Sequence, residues 1–432
     1  DIPHMRKTTI LFGFVIGQIH RMWVFRYHTI LKGDPVSTPI KNRLIIYLLL
    51  AVFSAPFIGA EEAPLFVGRL QSETEHFVFI YEPKDSESAA YLASIAEDVY
   101  ARVAVLFGSY PDIVYCVVNG RASIYENSFY PIPAHINITV SAPTWPLFGP
   151  RSENWLELAF THELTHNVQI AFEDGPLAAA SRIFGPGIKT GSGAFLPSWL
   201  VEGSAVLAET IFTSGGRGDN QFFEMLSKAM IVEQDFFSYR QAGSTTVFAP
   251  QQRPYVAGYL LANFIYEKYG PEAIGEIQKS YVSFPLFGPD RAIREVTGQS
   301  GQSLFGEMSA ELRERYIDDL AIKSGTRITP DTYGNYYHPL HTSSGIILYR
   351  SNLNHPVSLV RFDPVTGTEE VLHVGALTDP SSFAANTDGS IIAFTSPSED
   401  LHPAGTSGYS DLFILDKNSS RPRKITQNDH VW

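Results

Sequence analysis

Two histidines stand four residues apart in the run WLELAFTHELTHNVQ, which covers 155–169 and contains His162, Glu163 and His166. On a helix, positions i and i+4 lie on one face about one turn apart, so both imidazoles can bind one metal ion. Glu163 then stands beside that ion as a general base. The HExxH spacing therefore predicts two metal ligands and a base, and the alternative is an exposed helix face with two incidental histidines.

A catalytic zinc ion needs a third protein ligand and an open position for water. No third histidine follows His166 at close spacing, which argues against the pattern HExxHxxGxxH. The single cysteine, Cys116, cannot supply a zinc–thiolate cluster, and we interpret it as a buried strand thiol. Any zinc site must therefore use histidines and carboxylates. The segment PSWLVEGSA offers Glu202 on a second predicted helix, 36 residues beyond His166.

The order of these two motifs resembles a known enzyme superfamily. HELTH followed by a W-L-x-E-G-x-A helix resembles the gluzincin metallopeptidases, the superfamily of thermolysin and aminopeptidase N, and especially bacterial peptidase-MA-like proteins. The resemblance implies one Zn²⁺ held by His162, His166 and Glu202, with Glu163 as the catalytic base. Small residues after Glu202, beginning with Gly203, would let the two helices approach closely.

A third fragment, RPYVAGY at 253–259, looks like the P-Y-x-x-G segment of aminopeptidase-type gluzincins. There, a tyrosine hydroxyl faces the developing oxyanion, and this resemblance makes Tyr255 a catalytic candidate. Tyr259 competes for the role, and an aromatic side chain that packs into the core is the plain alternative. Glu209, seven residues after Glu202, is a candidate for orienting a ligand histidine.

The same resemblance bears on the substrate. Aminopeptidases of this superfamily hold a free amine with a G-x-M-E-N stretch upstream of HExxH, and this sequence has nothing like it. An internal peptide bond in a peptide or protein is therefore the expected target. The strand HINITV at 135–140 lies where the family's edge strand would pair with an extended peptide, although it would equally serve as an ordinary sheet strand.

The surrounding pattern predicts an α+β zincin-type domain over 64–325, β-rich at first and then mostly helical. Three β-rich runs surround an amphipathic helix, and a long helix begins near Glu153 with Ser152 as its N-cap. Helices continue to about residue 323, broken by Gly/Pro/Ser-rich stretches at 184–198 and 213–220.

After Thr329 short β runs recur. SGIILYRS at 344–351 returns as DGSIIAFTS at 388–396, and LVRFD returns as LFILD, with offsets of 45 and 53 residues. Periods near 40–50 with four short strands per unit are typical of β-propeller blades. Two units cannot close a ring, so we expect an incomplete propeller over 335–432, similar to TolB-type repeats, that presents loops to a protein partner.

The composition bounds the remaining possibilities. With 432 residues, 44% hydrophobic and 18% charged, the chain has material for two or three folded domains. The net charge of −13 and the lack of a long basic run argue against nucleic-acid binding.

We expect an N-terminal extension over 1–60, in which Lys41 and Arg43 precede an apolar stretch at 44–60. This stretch is typical of an export signal, with an uncleaved membrane anchor as the alternative.

Taken together, the sequence predicts an exported, multidomain zinc endopeptidase that is periplasmic or extracellular. The alternative is a non-catalytic extracytoplasmic scaffold that binds a partner through the propeller. Glu163 favours the enzyme, because a degenerate site has no reason to retain the base.

Overall fold

The protein is described by a computed structural model. It covers residues 68–120, 128–131, 134–143, 154–172, 175–185, 196–233, 236–244, 246, 252–321, 325–330, 334–352, 354–397, 410–419 and 421–426. The predicted extension over 1–60, with its signal or anchor at 44–60, lies outside these residues. Among the helices that are described, none has the length and apolar character needed to cross a membrane.

A five-stranded mixed sheet opens the described chain, in the order β1-β2-β3-β5-β4. Its strands are β1 (Leu70–Glu73), β2 (Phe77–Tyr81), β3 (Val114–Asn119), β4 (Ser128–Pro131) and β5 (Ala134–Thr139). Strands β2, β3 and β5 are parallel, and the outer strands β1 and β4 are antiparallel to their neighbours. The amphipathic helix α1 (Ser86–Phe107) connects β2 to β3 and buries its apolar face in the core.

The position of β5 decides between the two interpretations of the strand at 135–140. Rather than forming the edge of the sheet, β5 pairs with β3 on one side and with β4 on the other. Its backbone groups are therefore used within the protein, and β4 is the outer strand at this side of the described sheet. The sequence could not distinguish the two interpretations, because β4 is only four residues long and leaves little alternating pattern.

The described residues between 155 and 315 are mostly helical. They are α2 (Trp155–Ile170), α3 (Pro176–Phe184), α4 (Ser198–Phe212), α5 (Gln221–Val232), α6 (Tyr239–Ala242), α7 (Arg253–Tyr269), α8 (Ala273–Ser283), α9 (Pro289–Thr297) and α10 (Gly301–Arg315). The β-rich half followed by a helical half confirms the predicted α+β organisation.

Helix α2 is the central element of this half. Every residue from Leu158 to Gln169 is buried, as expected of a helix enclosed on all sides. Its N-cap is Asn154, whose side chain accepts a hydrogen bond from the Glu157 N–H, so the predicted cap at Ser152 was wrong. Asparagine satisfies the free N–H groups of the first turn as well as serine does, and pattern alone could not choose between them.

Helices α4 and α7 touch at a pair of glycines. A Cβ built on Gly203 would lie 2.2 Å from the carbonyl carbon of Gly258, and one on Gly258 would lie 2.6 Å from the Trp199 oxygen. No side chain fits in that space, so both positions require glycine. The contact fixes the start of α7 against the middle of α4. The sequence placed Gly203 at a close approach between α4 and α2, the helix of the two histidines, whereas the structure places it against Gly258 on α7.

The described residues between 334 and 424 form two four-stranded antiparallel sheets. The first contains β6 (Gly334–Thr342), β7 (Gly345–Asn352), β8 (Ser358–Phe362) and β9 (Glu369–Val374); the second contains β10 (Phe383–Ala385), β11 (Ile391–Pro397), β12 (Ser410–Asp416) and β13 (Arg423–Lys424). They share an apolar core that includes Leu359 and Phe394. The sheets match the predicted units of four short strands, whereas a propeller and the boundary between 325 and 335 stay predictions.

Candidate metal centre

The imidazoles of His162 and His166 face each other on one side of α2. Their Nε2 atoms lie 3.2 Å apart, and the two ring planes are nearly perpendicular at 89°. Both side chains are buried. The i, i+4 spacing therefore places the two rings together, as the sequence predicts.

Glu209 sets the tautomer of His162. The Nδ1 atom of His162 lies 2.9 Å from Oε2 of Glu209, a carboxylate with no solvent exposure. An ionised carboxylate only accepts hydrogen bonds, so Nδ1 carries the proton and donates it, leaving the lone pair on Nε2. The Nη2 atom of Arg217 lies 2.8 Å from this Nδ1 and donates a hydrogen bond to Glu209 Oε2, 2.9 Å away.

Gln169 performs the same task for His166. The amide nitrogen of Gln169 donates a hydrogen bond to the carbonyl of Val201 at 3.0 Å, so its oxygen points the other way. That oxygen lies 3.1 Å from Nδ1 of His166 and accepts the proton there. Both histidines therefore present an Nε2 lone pair to the same point.

Glu202 on α4 completes the group. Its Oε2 atom lies 3.6 Å from Nε2 of His162 and 3.4 Å from Nε2 of His166. This oxygen is buried and accepts no hydrogen bond from the residues that the structure describes. The structure thus brings His162, His166 and Glu202 together across two helices, in the arrangement that the resemblance implied.

The spacing of the three atoms fits a zinc ion. Zinc binds histidine nitrogen and carboxylate oxygen at about 2.0–2.1 Å in tetrahedral geometry, which separates neighbouring ligand atoms by about 3.3 Å. The observed separations are 3.2, 3.4 and 3.6 Å. Two lone pairs and a carboxylate oxygen converging in a buried space require a cation between them, and a metal ion supplies one.

The pKa values of Glu202 and His166 also reflect the contact between these two side chains. Burial disfavours the ionised form of Glu202, but the charge of His166 and the close approach of both imidazoles hold the pKa of Glu202 well below its usual range. Burial also opposes the imidazolium of His166, yet Glu202 raises the pKa of His166 to about 9. Without a metal ion, a proton on His166 therefore takes the cation's place.

Glu163 lies between the two histidines in sequence and is 4% exposed. Burial raises the pKa of Glu163 above its usual value, and the neighbouring side chains of His162 and His166 oppose that rise electrostatically. A carboxyl group with a raised pKa exchanges protons more readily near neutral pH. This environment suits the general base that the sequence predicts.

The two candidate tyrosines of α7 occupy different places. The ring of Tyr255 is stacked beside the His162 ring, with centroids 6.3 Å apart and planes at 17°. The hydroxyl of Tyr259 instead hydrogen-bonds Thr210, and burial raises the pKa of Tyr259 to about 12. Of the two side chains, Tyr255 adjoins the metal ligands.

Two further residues of the site escaped the sequence analysis. Arg217, which is 4% exposed, holds Glu209 with two hydrogen bonds from its guanidinium, at 2.7 and 2.9 Å. It lies in the glycine-rich stretch 213–220, which has no periodic pattern to mark a buried residue. Gln169 stands three residues after His166 on the same helix, a spacing that would have identified it as a neighbour of that ligand.

A second group of candidate ligands consists of Glu75, His76 and Glu97. Here Glu97 already accepts hydrogen bonds from Thr74 Oγ1 at 2.5 Å, from the His76 backbone at 2.9 Å and from the His76 ring at 2.7 Å. These bonds tie the turn before β2 to α1. The group is explained by that structural role, whereas Glu202 Oε2 has no comparable partner among the described residues.

Comparison with known proteins gave structural neighbours only. No protein-family model matches the chain, and no curated protein is similar to it. One solved structure that it resembles is a two-domain M1 zinc metallopeptidase mutant bound to L-tryptophan. The two sequences are 15% identical, the match covers 56% of this chain and 51% of that chain, and the TM-score is 0.29. Another is an M1 zinc metallopeptidase mutant from Deinococcus radiodurans bound to a Tyr-Ser-Ala substrate, with 14% identity, coverage of 56% and 51%, and a TM-score of 0.28.

A third is an M1 zinc metallopeptidase from Deinococcus radiodurans, with 15% identity and a TM-score of 0.24, where the match covers 58% of this chain and 51% of that chain. The chain therefore spans about half the length of these neighbours. They are zinc metallopeptidases, the class that the sequence resemblance names. At such TM-scores the likeness carries no argument about activity, which depends on the geometry of the site.

Proposed function

We propose that this protein is a zinc-dependent peptidase that hydrolyses internal peptide bonds. The observation that carries the proposal is the convergence of three metal-binding atoms, from His162, His166 and Glu202, at separations suited to one tetrahedral ion. When bound, zinc supplies a Lewis acid for a peptide carbonyl and lowers the pKa of water to about 7.

The chain's own residues supply the remaining chemistry. Glu163 accepts a proton from the attacking water and later delivers it to the leaving amine. The hydroxyl of Tyr255 donates a hydrogen bond to the carbonyl oxygen, and this bond strengthens as negative charge develops there. Glu209 and Gln169 keep Nδ1 of each histidine protonated, so that Nε2 remains available as a ligand.

The choice of an internal bond rests on the sequence and on the sheet. The sequence has no G-x-M-E-N segment with which to bind a free amine. Strand β4 forms the outer edge of the described sheet and packs against α2, the helix of the two histidines. An extended peptide that adds to β4 would run beside the ligands, with backbone hydrogen bonds to align it.

The test combines metal analysis with hydrolysis. We expect purified protein to contain one zinc per chain and to cleave unstructured peptides, and Glu163→Gln to retain zinc but lose at least a hundredfold in kcat. Glu276→Gln, on the exposed face of α8, is the matched control and should behave as wild type. Hydrolysis that survives Glu163→Gln unchanged would refute the assigned base.

The alternative is a non-catalytic scaffold that binds a protein partner through the sheets at 334–424. It is favoured if the protein binds zinc but cleaves no peptide in a diverse library.

Export is a further proposal, supported only by the pattern at 44–60. N-terminal sequencing of protein from the membrane and extracytoplasmic fractions would distinguish a cleaved signal from a membrane anchor.

A further inference from the structure

Arg217 is a buried cation without a place in the mechanism above. It lies in a single 3₁₀ turn, Arg217–Asp219, after α4, and it is only 4% exposed. A buried charge is costly unless it is paired and hydrogen-bonded. Its partners therefore indicate what the side chain does.

The first partner of Arg217 is Glu209. The Nε and Nη2 atoms of Arg217 bind the two carboxylate oxygens at 2.7 and 2.9 Å, and its backbone N–H donates to Oε1 at 3.0 Å. This forked arrangement fixes the plane of the carboxylate as well as its position. Because Glu209 binds Nδ1 of His162, the orientation of that metal ligand depends on Arg217.

The second partner is Tyr255. The guanidinium of Arg217 lies over the Tyr255 ring, 5.1 Å from its centroid. The same ring is stacked beside His162. Arg217 thus contacts the tyrosine through a cation–π interaction while it binds the carboxylate behind the histidine.

The backbone around Arg217 is shaped to allow this insertion. A Cβ on Gly216 would lie 2.3 Å from the Thr210 Cα, and one on Gly218 would lie 2.2 Å from the Tyr259 hydroxyl. Glycine on both sides lets the turn lie directly against α4. The close fit holds the arginine inside the protein at a fixed depth.

We propose that Arg217 is a positioning residue that couples the metal centre to the catalytic tyrosine, by orienting Glu209 behind His162 and by holding the ring of Tyr255. This proposal rests on the proposed function for the role of Tyr255, whereas the part that concerns His162 requires only metal binding. The two parts can therefore be measured separately.

The effect on metal binding is tested with Arg217→Lys. Lysine keeps the positive charge but loses the paired hydrogen bonds to Glu209 and the flat guanidinium over the Tyr255 ring. Competition with a chromophoric chelator should show a zinc Kd raised 10- to 100-fold, the range typical of lost support behind a metal ligand. The visible absorption bands of the cobalt-substituted variant should shift from those of wild type. Arg313→Lys on the exposed face of α10 is the control.

A second variant covers the case in which Arg217→Lys does not fold. Arg217→Met combined with Glu209→Gln removes both buried charges, so neither is left unpaired. The double variant should fold, keep an acceptor beside Nδ1 of His162, and still bind zinc at least tenfold more weakly. A zinc Kd within twofold of wild type in the folded variant would overturn the proposal, whether or not the protein hydrolyses peptides.

The part of the proposal that concerns Tyr255 is tested by combining Arg217→Lys with Tyr255→Phe at saturating zinc. If Arg217 positions the hydroxyl, the loss of kcat caused by Arg217→Lys should shrink at least fivefold in the Tyr255→Phe background, with KM little changed. Equal losses in both backgrounds would refute the coupling. Absence of peptide hydrolysis in wild type would instead refute the proposed function and, with it, the role of Arg217 in positioning Tyr255.

Discussion

Gly203 on α4 and Gly258 on α7 are in backbone contact beside the metal centre, since a Cβ on Gly203 would lie 2.2 Å from the Gly258 carbonyl carbon. Gly203 directly follows the ligand Glu202, and Gly258 lies three residues after Tyr255. This contact therefore sets the distance between the third ligand and the tyrosine. A side chain at either position must push the two helices apart.

We expect Gly203→Ala to lower the free energy of unfolding by about 3 kcal/mol, at the upper end of the range for overpacked cores, because backbone atoms block the new methyl group. Zinc binding should weaken as Glu202 moves. Differential scanning calorimetry and zinc titration measure the two effects. Gly306→Ala on α10, where a Cβ meets nothing within 4 Å, should be neutral or stabilising by up to about 1 kcal/mol. Equal stability of both variants would contradict the packing argument.

Gln169 provides a prediction about His166. Gln169→Leu removes both of its hydrogen bonds and should weaken zinc binding 10- to 100-fold. Gln169→Glu keeps an acceptor for Nδ1 of His166 but cannot donate to Val201 when ionised. It should retain more zinc affinity than Gln169→Leu, as judged by chelator competition. Unchanged affinity in Gln169→Leu would show that Gln169 does not orient the ligand.

The pKa of His166 predicts opposite effects of pH on stability and on metal binding. In the zinc-free protein this pKa is about 9, above the ordinary 6.5, so the folded chain holds the proton more tightly than the unfolded chain. That contribution to stability is complete below about pH 6.5 and is lost as the pH rises through about 9. The Tm of zinc-free protein should therefore fall across this window.

Zinc affinity should rise across the same window by about tenfold per pH unit, because zinc must displace the proton of His166. Chelator competition at intervals between about pH 6.5 and 9 measures the slope, with the Tm of the zinc-loaded protein as the comparison. A zinc Kd independent of pH over this range would show that no proton is released, contrary to the assigned pKa.

The two tyrosines of α7 should respond differently to loss of the hydroxyl. Tyr255→Phe is expected to lower kcat by 10²- to 10³-fold with KM nearly unchanged, the cost of removing one oxyanion donor. Tyr259→Phe loses its hydrogen bond to Thr210 and should cost about 1 kcal/mol of stability with kcat within twofold of wild type. Steady-state kinetics on one peptide substrate would distinguish them, and the reverse order would reassign the role to Tyr259.

The ligand pair was predictable from sequence because the i, i+4 spacing of His162 and His166 puts both rings on one helix face whatever surrounds them. Spacing alone could not place Glu202, 36 residues further along, since the intervening chain can follow many paths. Only the motif around it, through the resemblance, indicated its role. Arg217 acts through contacts to Glu209 and Tyr255, which no local pattern encodes.

The same contrast holds for the fold. The amphipathic helix that the structure places at 86–107 was predictable from apolar residues at steps of three and four. The short strand β4 was missed, so the sequence left open whether β5 lies at the edge of the sheet. Strand order depends on contacts between distant segments, which a pattern within one segment does not contain.

Diffraction from crystals grown with zinc, recorded above and below the zinc absorption edge, tests the central claim most directly. We expect one anomalous peak, bonded to Nε2 of His162, Nε2 of His166 and the carboxylate of Glu202, at about 2.0–2.1 Å from each ligand atom. A peak at Glu75, His76 and Glu97, with no density between the two imidazoles and Glu202, would contradict it.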